Sequence, residues 1–160
     1  DWTSFCITSK SEIAVWRWVS QFTSFLSLYI NLLLKSSTNT FTTAAEALKQ
    51  KKGVCQDQAH IMISAARFLG IPARYINGYM HNNMNSSEFQ STHAWAELYF
   101  QNLGWVGFDP TNRCSPDERY IRVSSGLDAN YAAPVKGIIY GTSTEKLEIK
   151  VETQQINSQQ

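Results

Sequence analysis

The chain has 160 residues, a formal net charge of +1, 43% apolar residues and 17% charged ones. That length suits one compact domain with its own core. The charge balance gives no electrostatic reason to bind nucleic acid, and no basic stripe interleaved with aromatics runs along the chain. The three cysteines, Cys6, Cys55 and Cys114, are odd in number and widely spaced, unlike a zinc knuckle or a secreted disulfide scaffold. Free thiols in a reducing, cytoplasmic compartment are the simpler expectation, with one disulfide and a spare thiol left open. The opening stretch DWTSFCITSK shows no basic run leading into an apolar signal core.

From Glu12 to Leu34, the residues Ile13, Trp16, Val19, Phe22, Leu26, Ile30 and Leu33 recur at helical spacing. Arg17 and repeated serines argue against a membrane span, so a packing helix with a break near Thr23 or Ser24 is expected. Its β-branched and aromatic residues leave a strand pair open. After the turn KSSTNTF, Thr43 and Glu46 form a capping-box pattern over AAEALKQKK, with Gly53 placed to close that helix or turn the chain.

A second helix is expected from about Cys55 to Leu69, with Ile61, Met62, Ala65, Ala66, Phe68 and Leu69 as its apolar face and Gly70 and Pro72 as its stop. The period then changes to two. ARYINGYM (73–80), HAWAELYF (93–100) and GWVGFD (104–109) read as strands, with QNLG a turn between the last two. VKGIIYG and KLEIKVET read as a late hairpin, and QQINSQQ as a tail. Helices gathered before antiparallel strands predict an α+β fold. The expected organisation is a helical segment over 1–40 packing on a core over 41–153, with a flexible tail over 154–160.

Thiol chemistry needs a thiolate, a base that takes its proton, and a group that orients the base. Cys55 stands at the start of its helix, where unpaired N–H groups and the helix dipole favour negative charge. Its own N–H is placed to face a developing oxyanion, with Gln56 beside it as a further cleft candidate. His93 opens an alternating strand and shares a face with Trp95, Glu97 and Tyr99, while Ala94, Ala96, Leu98 and Phe100 suit the core.

Asp109 ends the next strand, and Pro110 stops the ladder there. Two hairpin registers bring the carboxylate to His93: Tyr99 opposite Trp105, or Asp109 directly opposite His93. Trp95 and Trp105 are candidates to wall the cleft or to supply an indole donor.

Other chemistries are weaker. His60, His81 and His93 with Cys55 hold enough atoms for zinc but no short-spaced pair, so no metal and no cofactor are expected. Nothing fixes the separation of Asp57, Glu97 and Asp109 that a glycosidase would need.

The stretches TTAAEALKQKKGVCQDQAHIMISAARFLGIPARYINGYM, STHAWAELYFQNLGWVGFDPTN and DERYIRV resemble the microbial transglutaminase-like superfamily of cysteine proteases, over roughly residues 41–150. The resemblance implies a papain-like, transglutaminase-like core, in which the nucleophile's helix packs on an antiparallel sheet that carries the base and the acid. It implies Cys55 as nucleophile, His93 as base and Asp109 as its orienting acid, acting on a peptide or protein substrate.

Family members generally carry an N-terminal β-rich domain, which residues 1–40 are too short to supply. A missing domain or a partner protein in its place is therefore left open. The expected activity is hydrolysis of an amide or peptide bond through an acyl-enzyme. Protein-glutamine γ-glutamyl transfer and a non-catalytic peptide-binding module are the rivals. The loop from His81 to Thr92 holds only Glu88 as an acidic residue, which argues against calcium activation.

Overall fold

The computed structural model describes residues 42–81 and 92–137. The helix expected over Glu12–Leu34, the late hairpin and the tail lie outside those residues. The described part consists of helices α1 (Ala44–Gln50) and α2 (Cys55–Phe68) and strands β1 (Ala73–Met80), β2 (Thr92–Phe100), β3 (Gly104–Phe108) and β4 (Tyr120–Gly126). The strands form one antiparallel sheet in the order β3-β2-β1-β4, and α2 packs on it, so the fold is α+β as expected.

Helix α1 starts on the capping box read from the sequence. The Thr43 side chain accepts from the Glu46 N–H, and the Glu46 carboxylate accepts from the Thr43 N–H at 2.9 Å. Its left-handed closing residue is Lys51 (φ 53°), not Gly53, which lies two residues further on and is buried. Helix α2 ends on a Schellman motif. Gly70 takes φ 77°, its N–H donates to the Arg67 carbonyl at 3.0 Å, and the Ile71 N–H reaches the Ala66 carbonyl at 2.9 Å. A left-handed residue at that point favours glycine, because a Cβ there crowds the following carbonyl.

The core lies between α2 and the sheet. Ala59, Met62, Ile63 and Ala66 of α2 meet Ala94, Ala96, Leu98 and Phe100 of β2, with Tyr75 of β1 and Val106 and Phe108 of β3 completing the cluster. These four β2 residues are the ones that alternation assigned to the core. Burial extends further than alternation suggests, since His93, Trp95 and Glu97 on the opposite face are also buried, as is Ile76 beside them. A central strand between two neighbours can be covered on both faces, and β2 is such a strand.

Phe68 departs from its expected place in the core. It is 89% exposed at the last turn of α2, and Leu69 is 50% exposed.

The β2–β3 hairpin takes the register with Tyr99 opposite Trp105, closed by a turn through Asn102 (φ 82°) and Gly104 (φ 74°). Strand β4 was not read from the sequence. It pairs only with β1 among the described residues, with Ile121 and Val123 about half exposed, and its pairing shifts register between Asn77 and Gly78. Gly78 is needed at that point. A Cβ there would collide with the Ile121 carbonyl and come within 2.7 Å of the Trp95 indole.

Candidate active site

Cys55 is the first residue of α2. The residue before it, Val54, has no side-chain acceptor, so the usual N-cap hydrogen bond from a Ser, Thr, Asp or Asn is missing. Only the reciprocal half of a capping box is present. The buried Asp57 carboxylate accepts from the Val54 N–H at 2.9 Å and fixes the turn that presents the cysteine. That contact accounts for an acidic residue two positions after Cys55 in the first turn of the helix. No N-cap side chain occupies the first-turn N–H groups, which leaves the helix tip favourable to negative charge. Gln56, beside the cysteine, is exposed.

His93 enters from the opening of β2, where it pairs with Gly78 of β1. Asp109 follows the last residue of β3. In the observed register Asp109 falls diagonal to His93 on the same face, and His93 Nε2–H donates to Asp109 Oδ2 at 2.6 Å. The Asp109 side chain is fully buried, and that of His93 is 8% exposed.

The turn after Asp109 wraps its carboxylate. Oδ1 accepts from the Thr111 N–H at 2.9 Å and the Asn112 N–H at 3.2 Å, while Oδ2 also accepts from Asn112 Nδ2 and the Tyr120 hydroxyl, each at 2.7 Å. Backbone hydrogen bonds between Asp109 and Cys114 close this turn into a short loop. Such a buried carboxylate is affordable because donors meet both oxygens.

Electrostatics follow from these contacts. Burial alone would push the His93 imidazole down. The hydrogen bond to Asp109 and its charge, with a further pull from Cys55, overturn it, and His93 holds its proton up to about 9. Because Nε2 is committed to Asp109, Nδ1 is the ring nitrogen left for the sulfur. Burial also pushes the Asp109 carboxyl up, but His93, Tyr120 and Asn112 outweigh it and hold the group below its ordinary value. Cys55 and Cys114 are both free thiols.

The tryptophans divide. Trp95 is buried, packs edge-on against Tyr120 at 5.5 Å, and stands 6.3 Å from the His93 ring. It forms part of the wall around the imidazole. Trp105 is at the other end of β3, about 13 Å along the strand from Asp109. There it is stacked under Arg74 at 4.0 Å and lies edge-on to Tyr99.

Two neighbours of the site, Asn112 and Tyr120, were not singled out from the sequence, and a third, Cys114, falls near it as its place five residues after Asp109 suggests. Asn112 and Tyr120 both reach Asp109, and the thiol of Cys114 lies 3.3 Å from the Tyr120 hydroxyl. An Asn three residues after an Asp-Pro turn was the available signal for Asn112. Tyr120 depends on a strand pairing that no local pattern announced.

A half-buried thiol at a helix tip and a buried His–Asp pair on an antiparallel sheet are consistent with a papain-like class of fold and a thiol-hydrolase type of site. The chain belongs to the transglutaminase-like superfamily, whose pattern matches residues 9–110, beginning well before Phe41. It is similar to an uncharacterised protein of Mycobacterium leprae, 33% identical over 147 residues, covering 89% of this chain and 49% of that relative.

It is also similar to a protein-glutamine gamma-glutamyltransferase of Pseudomonas aeruginosa, 32% identical over 85 residues, 49% of this chain and 12% of the relative. Among solved structures, a putative cysteine protease from Cytophaga hutchinsonii matches with a TM-score of 0.59 and 32% identity, over 72% of this chain and 38% of the other. The chain thus spans about half the length, or less, of the relatives it matches. Among the described residues no helix is long and apolar enough to cross a membrane.

Proposed function

We propose that the chain hydrolyses an amide or peptide bond by thiol-dependent acyl transfer, with Cys55 as nucleophile, His93 as acid and base, and Asp109 as the group that orients His93. The observation that carries this reading is the 2.6 Å bond between buried His93 and Asp109, in a chain whose free thiol Cys55 opens the helix packed on the same sheet. The sulfur attacks the carbonyl carbon while the oxygen takes up negative charge against the free N–H groups at the helix tip. The C–N bond breaks as the His93 proton passes to the departing nitrogen, which leaves a thioester. Water, losing a proton to His93, then breaks the S–C bond and restores the thiol.

The same thioester can be resolved by a lysine amine in place of water, giving transamidation. The likeness to the Pseudomonas glutamyltransferase supports that second reading. A peptide or protein is the proposed substrate in both cases, and a β-rich domain or partner protein is the proposed source of the remaining substrate contacts.

Mass spectrometry of peptide and glutamine-donor libraries, incubated with wild type and Cys55→Ala, with and without an added amine, tests this. Cleavage products, or ligation products when the amine is present, are expected with wild type only, at a rate roughly a thousandfold or more above the variant. Turnover that survives in Cys55→Ala, or an absence of any acyl-enzyme or product across the libraries, sinks the proposal in favour of a binding module.

A further inference from the structure

We infer that Tyr120 is a positioning residue that restrains the pull of Asp109 on the His93 proton, so that the imidazolium can release it to the departing nitrogen; this deepens the acyl-transfer reading and rests on it. Three donors converge on Asp109 Oδ2: His93 Nε2 at 2.6 Å, and Asn112 Nδ2 and the Tyr120 hydroxyl at 2.7 Å each. The carboxylate does not need Tyr120 to stay in place, because its own turn already holds it through the Thr111 and Asn112 N–H groups and the Asn112 side chain. What the hydroxyl adds is competition for the same oxygen. A donor that shares the negative charge of Oδ2 leaves less of it for the imidazolium.

The surroundings of Tyr120 aim its proton. Its ring is fixed edge-on against Trp95, and the Arg119 guanidinium, forked on Asp117, lies 6.0 Å from the ring centre. Its oxygen accepts from Asn112 Nδ2 and faces the Cys114 sulfur, both at 3.3 Å. With the phenol proton directed to Asp109, the Cys114 thiol is the donor of that contact. Burial and the charge and hydrogen bond of Asp109 push ionisation of the phenol far up, so it remains a donor across the neutral range. Among the described residues, the charged and titratable groups around His93 are Cys55 from α2, Asp109 from the end of β3 and Tyr120 from β4, with Cys114 and the Arg119–Asp117 pair behind Tyr120. A general acid held too tightly by its orienting carboxylate gives up its proton too slowly, and a shared carboxylate corrects this.

The test is a pH titration of the histidine ring signals by NMR, with His93 distinguished from the other two histidines by its loss in His93→Gln. Tyr120→Phe keeps the ring and removes the hydroxyl, and is expected to move the His93 midpoint upward by about half a pH unit or more. Placing 3-fluorotyrosine at position 120, a stronger donor of nearly the same size, is expected to move it downward. A midpoint that stays or falls in folded Tyr120→Phe overturns the inference. If that variant does not fold, a midpoint that stays or rises with fluorotyrosine overturns it instead. Cys55→Ser separates this outcome from the fate of the underlying reading. A His93 midpoint indifferent to loss of the thiol would remove the coupling on which acyl transfer depends, whatever Tyr120 does.

Discussion

Two charged pairs lie on the same face of β2, four residues apart, and they differ in what their neighbours leave them able to do. At one end His93 bonds Asp109 in a site where the side chains are 8% and 0% exposed. At the other, Glu97 meets Arg74 at 2.6 Å and Arg122 at 3.4 Å, with the Arg74 side chain 26% exposed and its guanidinium laid over Trp105. The Glu97 carboxylate is held between two guanidinium groups. The His93 pair holds a group that titrates, beside the Trp95 and Tyr120 rings and on the same sheet as the helix that Cys55 opens. A polar cluster on a sheet therefore reads as structural when its charges are fixed, and as chemical when one member can gain and lose a proton beside a nucleophile.

The comparison breaks first at Asp109. Asp109→Asn is expected to cut turnover roughly a hundred- to ten-thousandfold while leaving binding less affected, as a kcat and KM measurement on any substrate found by the library screen would show. The same variant carries a pH signature. His93 keeps its proton up to about 9 in the folded chain, above the ordinary histidine value of ~6.5. Its contribution to stability is therefore complete below ~6.5 and is lost as pH rises through about 9. Urea unfolding of wild type across that window should show the loss, and Asp109→Asn should flatten it.

A smaller effect is expected at Gly78, which faces His93 across the β1–β2 ladder. Gly78→Ala forces a methyl group against the Ile121 carbonyl and the Trp95 ring, and should cost about 1–3 kcal/mol in urea unfolding. Asp57→Ala removes the side chain that braces the turn before Cys55, and should cost about 1 kcal/mol with a measurable slowing of Cys55 alkylation. The smallest change belongs to the structural cluster. Arg74→Ala leaves Arg122 beside Glu97 and should cost about 1 kcal/mol or less, with no change in thiol reactivity. A large loss of reactivity in Arg74→Ala would erase the distinction between the two ends of the strand.

Much of this architecture was legible because local chemistry and tertiary need coincide. Thr43 and Glu46 announce a helix start that depends only on their own spacing. Alternation along β2 separated Ala94, Ala96, Leu98 and Phe100 from His93, and hairpin parity narrowed the pairing to two registers, one of which is observed.

The rest depends on contacts distant in sequence. Strand β4 lies at the margin of the described sheet with half-exposed apolar residues, so neither burial nor alternation marks it, and Tyr120 was hidden along with it. The aromatic character of Trp105 suits a cleft residue, whereas strand direction carries it to the opposite end of β3 from Asp109. Phe68 keeps the helical phase of a core residue but is 89% exposed.

The central claim is that Cys55, His93 and Asp109 act as one thiol site, and alkylation by iodoacetamide at pH 6, located by peptide mass spectrometry, tests it most directly. Cys114 serves as the control inside the same chain, since burial pushes its thiol up. The account predicts that Cys55 is alkylated far faster than Cys114 at pH 6 and that His93→Ala abolishes the advantage. Equal, slow labelling of the two cysteines in wild type would contradict it.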